Sequence, residues 1–400
     1  MKFLFVASSL DLTQPFSATP AWWQLLKGCC EIGIEVVATP YQGPAIESLW
    51  WQARPNPAKF QGDAFKLAKE TAQKLGGNNR RAEAQSGKIS GEIPESVSDK
   101  AVRHVARSLI APVWLKHLDR ILTEQPDITA LIFLTVPLNH LNGVASEIQR
   151  KHNKPVFYYD GDLPASLPSM AGFATGFRFY HGSDPGEYTA FISNSRGAAP
   201  ALKELGARAV HTLYWGADPE VFSPVQVAGQ DFDVLFCGHG REYRSEWMDN
   251  MVTTPSRALP EARFAARGKK LGDLGRTEML PYMSFTKMRE YTCRSKINLN
   301  VTRGAHANLD ASATSRPFEL ASMGACIVSN PYVGIQEWFE PGKELFVINS
   351  SEEAIDRYRY LLKHETERLA AGRAARERLL KEHTFRHRAR QLAEIVRGYL

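Results

Sequence analysis

The chain has 400 residues, 44% of them hydrophobic and 23% charged, with a formal net charge of +6 and a pI of about 9.0. That length exceeds one ordinary core and suits two α/β domains, and no apolar run approaches the roughly 20 residues a membrane helix needs. The positive balance suits anionic ligands, but the basic residues are scattered apart from a run near the C-terminus, so a nucleotide-sized polyanion is expected and a nucleic-acid polymer is not.

The first element is a buried strand over Lys2–Ala7. Asp11 interrupts the apolar start early, which argues against a signal peptide and for a cytoplasmic protein. A helix over Ala21–Ile32 stops at Gly33, and a strand over Glu35–Pro40 follows. From about 42 to 105 the rhythm breaks, with Trp50, Trp51, several prolines and a polar stretch from Gly76 to Glu92. This reads equally as a surface insertion or as an acceptor-binding elaboration. Strands then recur at Ala130–Thr135, Pro155–Asp160, Ala190–Ser193 and Ala209–Tyr214, with a helix over Gly197–Leu205 stopped at Gly206. Continuous apolar runs of this kind belong to strands buried on both faces of a parallel sheet.

A second series opens with Asp233–Cys237 and continues through Ala262–Ala266, Ile297–Val301, Ala325–Ser329 and Leu345–Ile348. The expected fold class is therefore α/β, with two Rossmann-like domains facing across a cleft, residues 1–222 and 232–384. Pro, Gly and polar residues cluster in Asp218–Asp231, the expected join. Helical segments at Glu352–Leu362, Glu365–Glu382 and Phe385–Tyr399 end the chain, the first with Ser350 and Glu353 as a capping box. They read as a homodimer seam or as packing across the cleft, with 385–400 returning to the first domain. Cys29, Cys30, Cys237, Cys293 and Cys326 form no C-x-x-C pair and read as buried free thiols.

The segment Ser315 to Gly324 carries the strongest chemical signal. Pro317 suits a first helical position and Gly324 a C-cap, with a buried strand directly after. A helix N-terminus attracts phosphate through free N–H groups and its dipole, and Arg316 adds a forked cation there. Glu319, one turn in, can accept two hydrogen bonds from the vicinal hydroxyls of a ribose. The competing reading makes Arg316 the N-cap and Glu319 a carboxylate that only caps backbone amides.

The stretch FELASMGACIVSNPYVGIQEWFEPGKELFVINSSEEA, from Phe318, resembles the donor region of GT-B glycosyltransferases. It is most similar to the spore-maturation CgeB-like branch, related to the retaining GT4 group. YTAFISNSRGAAPALKELGARAVHTLYWGADPEVFSP, DVLFCGHGREYRSEWM, SKINLNVTR and HTFRHRARQLAEI resemble further segments of that family in the same order, and together they cover most of 155–400. The first 150 residues share only the general βα pattern. The resemblance implies that Glu319 is the ribose ligand, with Ser315, Arg316 and Phe318 beside it in the donor site. It also places the first glutamate of the E-x7-E motif at Ala311, next to Asp310, so that carboxylate is missing here.

Other candidates lie at strand ends, where open α/β sheets bind ligands. Gly238 and Arg241, with Arg244 nearby, follow the strand Asp233–Cys237, and Arg303 and His306 follow Ile297–Val301. All are candidates for donor binding, against plain turns and solvated loops. In the first domain, Asp160, Asp162 and His181 are the catalytic candidates, against roles as turn formers. Ser17-Ala18-Thr19 follows the first strand without the glycine-rich form such loops often have. No metal-ligand spacing is present, so no metal or cofactor is expected. The reading as a whole is a hexosyltransferase-like enzyme that moves a sugar from a nucleotide-sugar, UDP-sugar by resemblance, to an unidentified acceptor hydroxyl with retention. A nucleotide-sugar epimerase or hydrolase, a non-catalytic sugar or nucleotide binder and a catalytically silent subunit remain open at this point.

Overall fold

The computed structural model describes residues 1–11, 21–58, 97–170, 179–241, 244, 246–281 and 284–400. Their contacts divide the chain into two units. The first comprises described residues of 1–11, 25–213 and 389–400, the second those of 21–24 and 214–388. The composition-based join at Asp218–Asp231 falls within the second unit.

The first unit holds a parallel sheet of seven strands: β1 (Lys2–Ser9), β2 (Glu35–Gln42), β3 (Gln52–Ala53), β4 (Ala130–Leu134), β5 (Val156–Asp160), β6 (Ala190–Ser193) and β7 (Val210–Thr212), in the order β3-β2-β1-β4-β5-β6-β7. Every residue of β4, β5 and β6 is buried, as continuous apolar runs require of interior parallel strands. The tyrosines on β5 satisfy their hydroxyls inside: Tyr158 donates to the Val136 carbonyl at 2.6 Å and Tyr159 to that of Leu213 at 2.9 Å. Part of the expected insertion belongs to this core. β3 pairs with β2, Trp51 is 3% exposed, and the helix Val97–Leu109 packs on the helix Ala111–Glu124. The stretch Gly76 to Glu92 and the loop Ser17-Ala18-Thr19 lie outside the described residues.

Glu187 is a buried charge in this unit, 6% exposed. Its Oε2 accepts from the Gly143 amide at 2.7 Å, at the N-terminus of the helix Val144–His152, and its Oε1 has no partner. Burial raises its pKa to about 7, against the helix amides of Gly143 and Ser146, which pull it down. A carboxylate raised in the folded state contributes stability below its unfolded pKa of about 4.5 and loses that contribution as pH climbs through the folded value. Glu187→Gln keeps the acceptor without the charge. Relative to this variant, the wild type is expected to lose up to about 3 kcal/mol of unfolding free energy between pH 4.5 and 8. Urea titrations across that range measure it; parallel pH profiles for the two proteins would contradict the assignment.

The second unit repeats the plan with six parallel strands: β8 (Phe232–Cys237), β9 (Phe264–Arg267), β10 (Glu278–Met279), β11 (Ser295–Asn300), β12 (Ile327–Ser329) and β13 (Phe346–Val347), in the order β10-β9-β8-β11-β12-β13. Its core gathers Val234, Phe236, Met251, Phe264, Ile297, Leu299, Val328 and Tyr358. The helix Ser351–Lys363 begins as its sequence predicts, Ser350 accepting from the Glu353 amide at 3.2 Å. Glu353 reaches back one residue further than the usual capping box, to the Asn349 amide at 2.8 Å.

Candidate functional site

In the second sheet, neighbours β8 and β11 mark the point where strand order reverses, and ligands of open α/β sheets bind outside the carboxyl ends of strands there. Gly238 and His239 leave β8 at that edge, and Thr302 and Arg303 leave β11. The loop after β11 is set by buried polar groups. Asn300 Nδ2 donates to Thr302 Oγ1 at 3.1 Å and to Ser329 Oγ at 2.9 Å, and Asn330 Oδ1 accepts from the Thr302 amide at 2.8 Å.

The helix Ser315–Ser322 begins two residues before the position Pro317 suggests. Thr314 is the N-cap, extended at φ −115° and ψ 158°, and its side chain makes no cap bond. Pro317 is thus the third helical residue, still in the turn whose N–H groups have no helical acceptor. The capping reading of Glu319 therefore fails: five residues beyond Thr314, it lies past the free amides. Its carboxylate is 1% exposed and accepts no hydrogen bond. Arg316 Nη1 stands 2.9 Å from Glu319 Oε2, an ionic contact without hydrogen-bond alignment, and also donates to Met288 Sδ at 3.2 Å. Burial raises the Glu319 pKa, and Arg316 opposes the rise. A buried carboxylate without hydrogen bonds costs free energy, which Arg316 offsets in part and a ligand bringing hydroxyl donors recovers further.

Gly324 closes the helix as expected, at φ +69°. The Gly324 amide donates to Ala321 O at 2.9 Å and the Ala325 amide to Leu320 O at 3.1 Å, the two bonds of a Schellman turn. Gly372 of the helix Glu365–Glu382 packs on it so closely that an added Cβ would lie 2.2 Å from the Gly324 oxygen.

Three residues that sequence reasoning passed over complete the basic edge. Arg267, 1% exposed, ends β9, and Lys269 follows it. The Lys269 amide donates to His239 Nδ1 at 2.9 Å, which puts the ring proton on Nε2. Arg267 Nη1 lies 3.2 Å from that nitrogen, so two donors converge where an anionic oxygen can accept from both. Burial first, then Arg267, Arg244, Lys269 and Arg316, lowers the His239 pKa to about 4, so the imidazole is neutral at pH 7. Arg316, Arg267 and Glu319 also act electrostatically on the buried Cys237 thiol, whose pKa burial raises. Three separate segments, the end of β8 with its loop, the end of β9 and the helix Ser315–Ser322, thus bring one charge cluster to this edge. The signal for Arg267 was an apolar strand ending in Arg-Gly-Lys-Lys at the ligand-binding edge.

The other candidates are placed as follows. Arg241 donates to the carbonyls of Leu271 and Asp273 at 3.2 and 2.7 Å and pairs with Asp249, so it clamps its own loop. Arg244 donates to Val301 O at 2.7 Å and to His239 O, joining the loops after β8 and β11. The Gly238 carbonyl is met by Gly268, where an added Cβ would sit 1.7 Å from the oxygen, and a Cβ at Gly238 itself would lie 2.6 Å from the Phe236 ring. Phe318 is fully buried, its ring 5.8, 5.7 and 5.6 Å from those of Trp338, Phe339 and His383, and fastens the helix to the core at a gain of about 2 kcal/mol. Ser315, partly exposed, opens the helix. Arg303 Nη2 stands 3.3 Å from His306 Nε2, and burial, then Arg303 and Arg244, holds the His306 pKa well below its usual value. Ala311 is buried in a left-handed conformation at φ +42°, with Gly334 pressed on its backbone.

In the first unit, Asp160 is fully buried. Its Oδ2 accepts from Ser166 Oγ at 2.5 Å and Tyr180 Oη at 2.7 Å, and its Oδ1 from the Asp162 amide at 2.9 Å. These bonds tie the turn after β5, an anchoring task rather than the exposed position a base needs. Asp162 is half-buried on that turn, and the Gly161 amide before it donates to Thr135 Oγ1 at 3.1 Å. Thr135 itself has φ +49°, an outlier for a β-branched residue. His181 is half-buried, its carbonyl accepting from Asn139 at 3.2 Å.

Two parallel Rossmann-like sheets define the GT-B fold class, and solved structures of that class match over nearly the whole chain. Sucrose-phosphate synthase from Thermosynechococcus elongatus matches with a TM-score of 0.65 and 11% identity over 99% of this chain and 98% of its own. The Anabaena HepE protein, in complex with UDP and glucose, matches at 0.60 and 11% over all of both chains. The trehalose-6-phosphate protein from E. coli bound with UDP-2-fluoro glucose matches at 0.63 and 11% over 99% of both. At such identities the likeness establishes the fold. Within the second unit and the start of the last helix, residues 244–394 match the sequence model of the glycosyl transferase-like family. No curated protein matches the chain in sequence. Among the described residues, no helix is long and apolar enough to cross a membrane.

Proposed function

We propose that the protein is a metal-independent glycosyltransferase that uses a UDP-sugar and belongs to the CgeB-like branch. The observation that carries the reading is Glu319: a buried carboxylate without hydrogen bonds, beside Arg316, at the ligand-binding edge of the second sheet. The ribose hydroxyls donate to Glu319. The diphosphate lies against Arg316, Arg267 and His239 Nε2, with the first helix amides adding their share. As the bond from the anomeric carbon to the diphosphate breaks, these fixed donors meet the charge that develops on the leaving group. The complexes with UDP and glucose and with UDP-2-fluoro glucose support uridine as the base and a hexose as the sugar. Retention follows from the GT4 resemblance. Asp162, half-buried on the turn after β5, is the carboxylate assigned to the acceptor, and a cytoplasmic location suits such a donor.

A thermal-shift panel of UDP, GDP, dTDP and ADP tests this reading. UDP at about 100 times its dissociation constant adds roughly 2.7 kcal/mol and should raise the melting temperature most. A panel in which no nucleotide shifts melting would contradict it.

A further inference from the structure

A separate cavity of about 210 Å³ opens in the second unit, beside the amino ends of β11 and β12. Its edge of the sheet is opposite to the one that carries Glu319. Val225, Val227, Met323 and Leu369 give it an apolar wall, and Arg368 supplies a cation. Arg368 is 4% exposed. Its Nη1 donates to Leu361 O at 2.7 Å and so closes the end of the helix Ser351–Lys363. Its Nε has no partner, and its Nη2 reaches only Gln230 Oε1, at 3.5 Å, the limit of a hydrogen bond. Nε–H and Nη2–H form the side-on edge of a guanidinium, whose two parallel donors match the two oxygens of a carboxylate.

The surroundings permit an anion. Lys296, also on the wall, is held by Asp233 at 2.8 Å. The floor is the Schellman turn of the helix Ser315–Ser322, whose terminal carbonyls would repel an anion if bare. They are occupied: Leu320 and Ala321 accept from Ala325 and Gly324, and Ser322 O accepts from Arg376 Nε at 3.0 Å. Glu367 is the acidic group that acts on this corner, through Cys326, and its carboxylate accepts from Tyr360 Oη at 2.7 Å.

We propose that this cavity binds a short-chain aliphatic carboxylate, its two oxygens on Nε and Nη2 of Arg368 and its alkyl part on the Val225–Val227 wall. The volume admits a chain of a few carbons and no nucleotide.

Cys293 lines the cavity and is partly accessible, and Cys30, also partly accessible, lies in the first unit as an internal control. The test is alkylation of the full chain with iodoacetamide, read at both cysteines by peptide mass spectrometry, with butyrate or butanol as probe. Saturating butyrate is expected to slow Cys293 about fivefold while Cys30 is unchanged and butanol has no effect. Arg368→Lys, which keeps the charge and loses the fork, should abolish the protection, and so should Val227→Phe, which narrows the cavity and leaves Arg368 intact. Equal protection by butanol, no protection by butyrate, or protection that survives both substitutions would overturn the proposal.

Discussion

Glu319→Ala is expected to weaken UDP binding about 100-fold, with unfolding free energy in the absence of nucleotide changed by less than about 1 kcal/mol. Each hydrogen bond to a charged acceptor contributes about 1.5–3 kcal/mol, so two lost ribose contacts amount to about 3 kcal/mol. The fold loses little because the carboxylate is buried without a hydrogen bond: its removal lifts a desolvation cost that offsets both the small cavity left and the lost ionic contact with Arg316, whose side chain still reaches solvent. Glu319→Gln retains one acceptor oxygen and should lose about 10-fold. Titration calorimetry gives the affinities and urea unfolding the stabilities. Unchanged UDP affinity would end the ribose assignment, and a large loss of stability would return Glu319 to a structural role.

Gly268→Ala should be the most damaging small substitution at the site. Its Cβ would fall 1.7 Å from the Gly238 oxygen, 2.9 Å from the Gly238 carbonyl carbon and 3.0 Å from Leu271 Cδ1. Neither backbone can yield without moving the loops after β8 and β9. Overpacking on this scale costs about 3 kcal/mol or more, which for a unit of this size lowers the melting temperature by roughly 6–12 °C. UDP binding should fall with it, because the same loops carry His239 and Arg267. Gly229, with nothing within 4 Å of an added Cβ, is the control. Gly229→Ala should stay within about 0.5 kcal/mol of the wild type. Wild-type melting for Gly268→Ala would show that the two loops do not meet as described.

Much of the fold was legible because its signals are local. Strands buried on both faces gave continuous apolar runs, and Gly33, Gly206 and Gly324, all at positive φ, marked helix ends that need a left-handed residue. β3 and β10, two residues each, are too short to leave a period in the sequence. The helix start was misplaced because Pro317 suits any position of a first turn; the extended backbone of Thr314 decides it. The site was legible in part. Arg316 and Glu319 stand in one segment, and their place on one short helix followed from spacing, whereas their ionic contact did not. Arg267 and Lys269 lie some fifty residues earlier in the chain, and only strand order brings them to the same edge. Asp160 had the look of a catalytic acid at a strand end. Whether such a carboxylate faces solvent or ties its own turn depends on Ser166 and Tyr180, whose donation no pattern announces.

The location of the nucleotide is the central claim, and amide hydrogen exchange with and without UDP tests it most directly. Protection is predicted at Thr314–Arg316, at Gly238–His239 and at Gly268–Lys269, and not along the carboxyl edge of the first sheet. Protection confined to the first unit, or none at the start of the helix Ser315–Ser322, would contradict it.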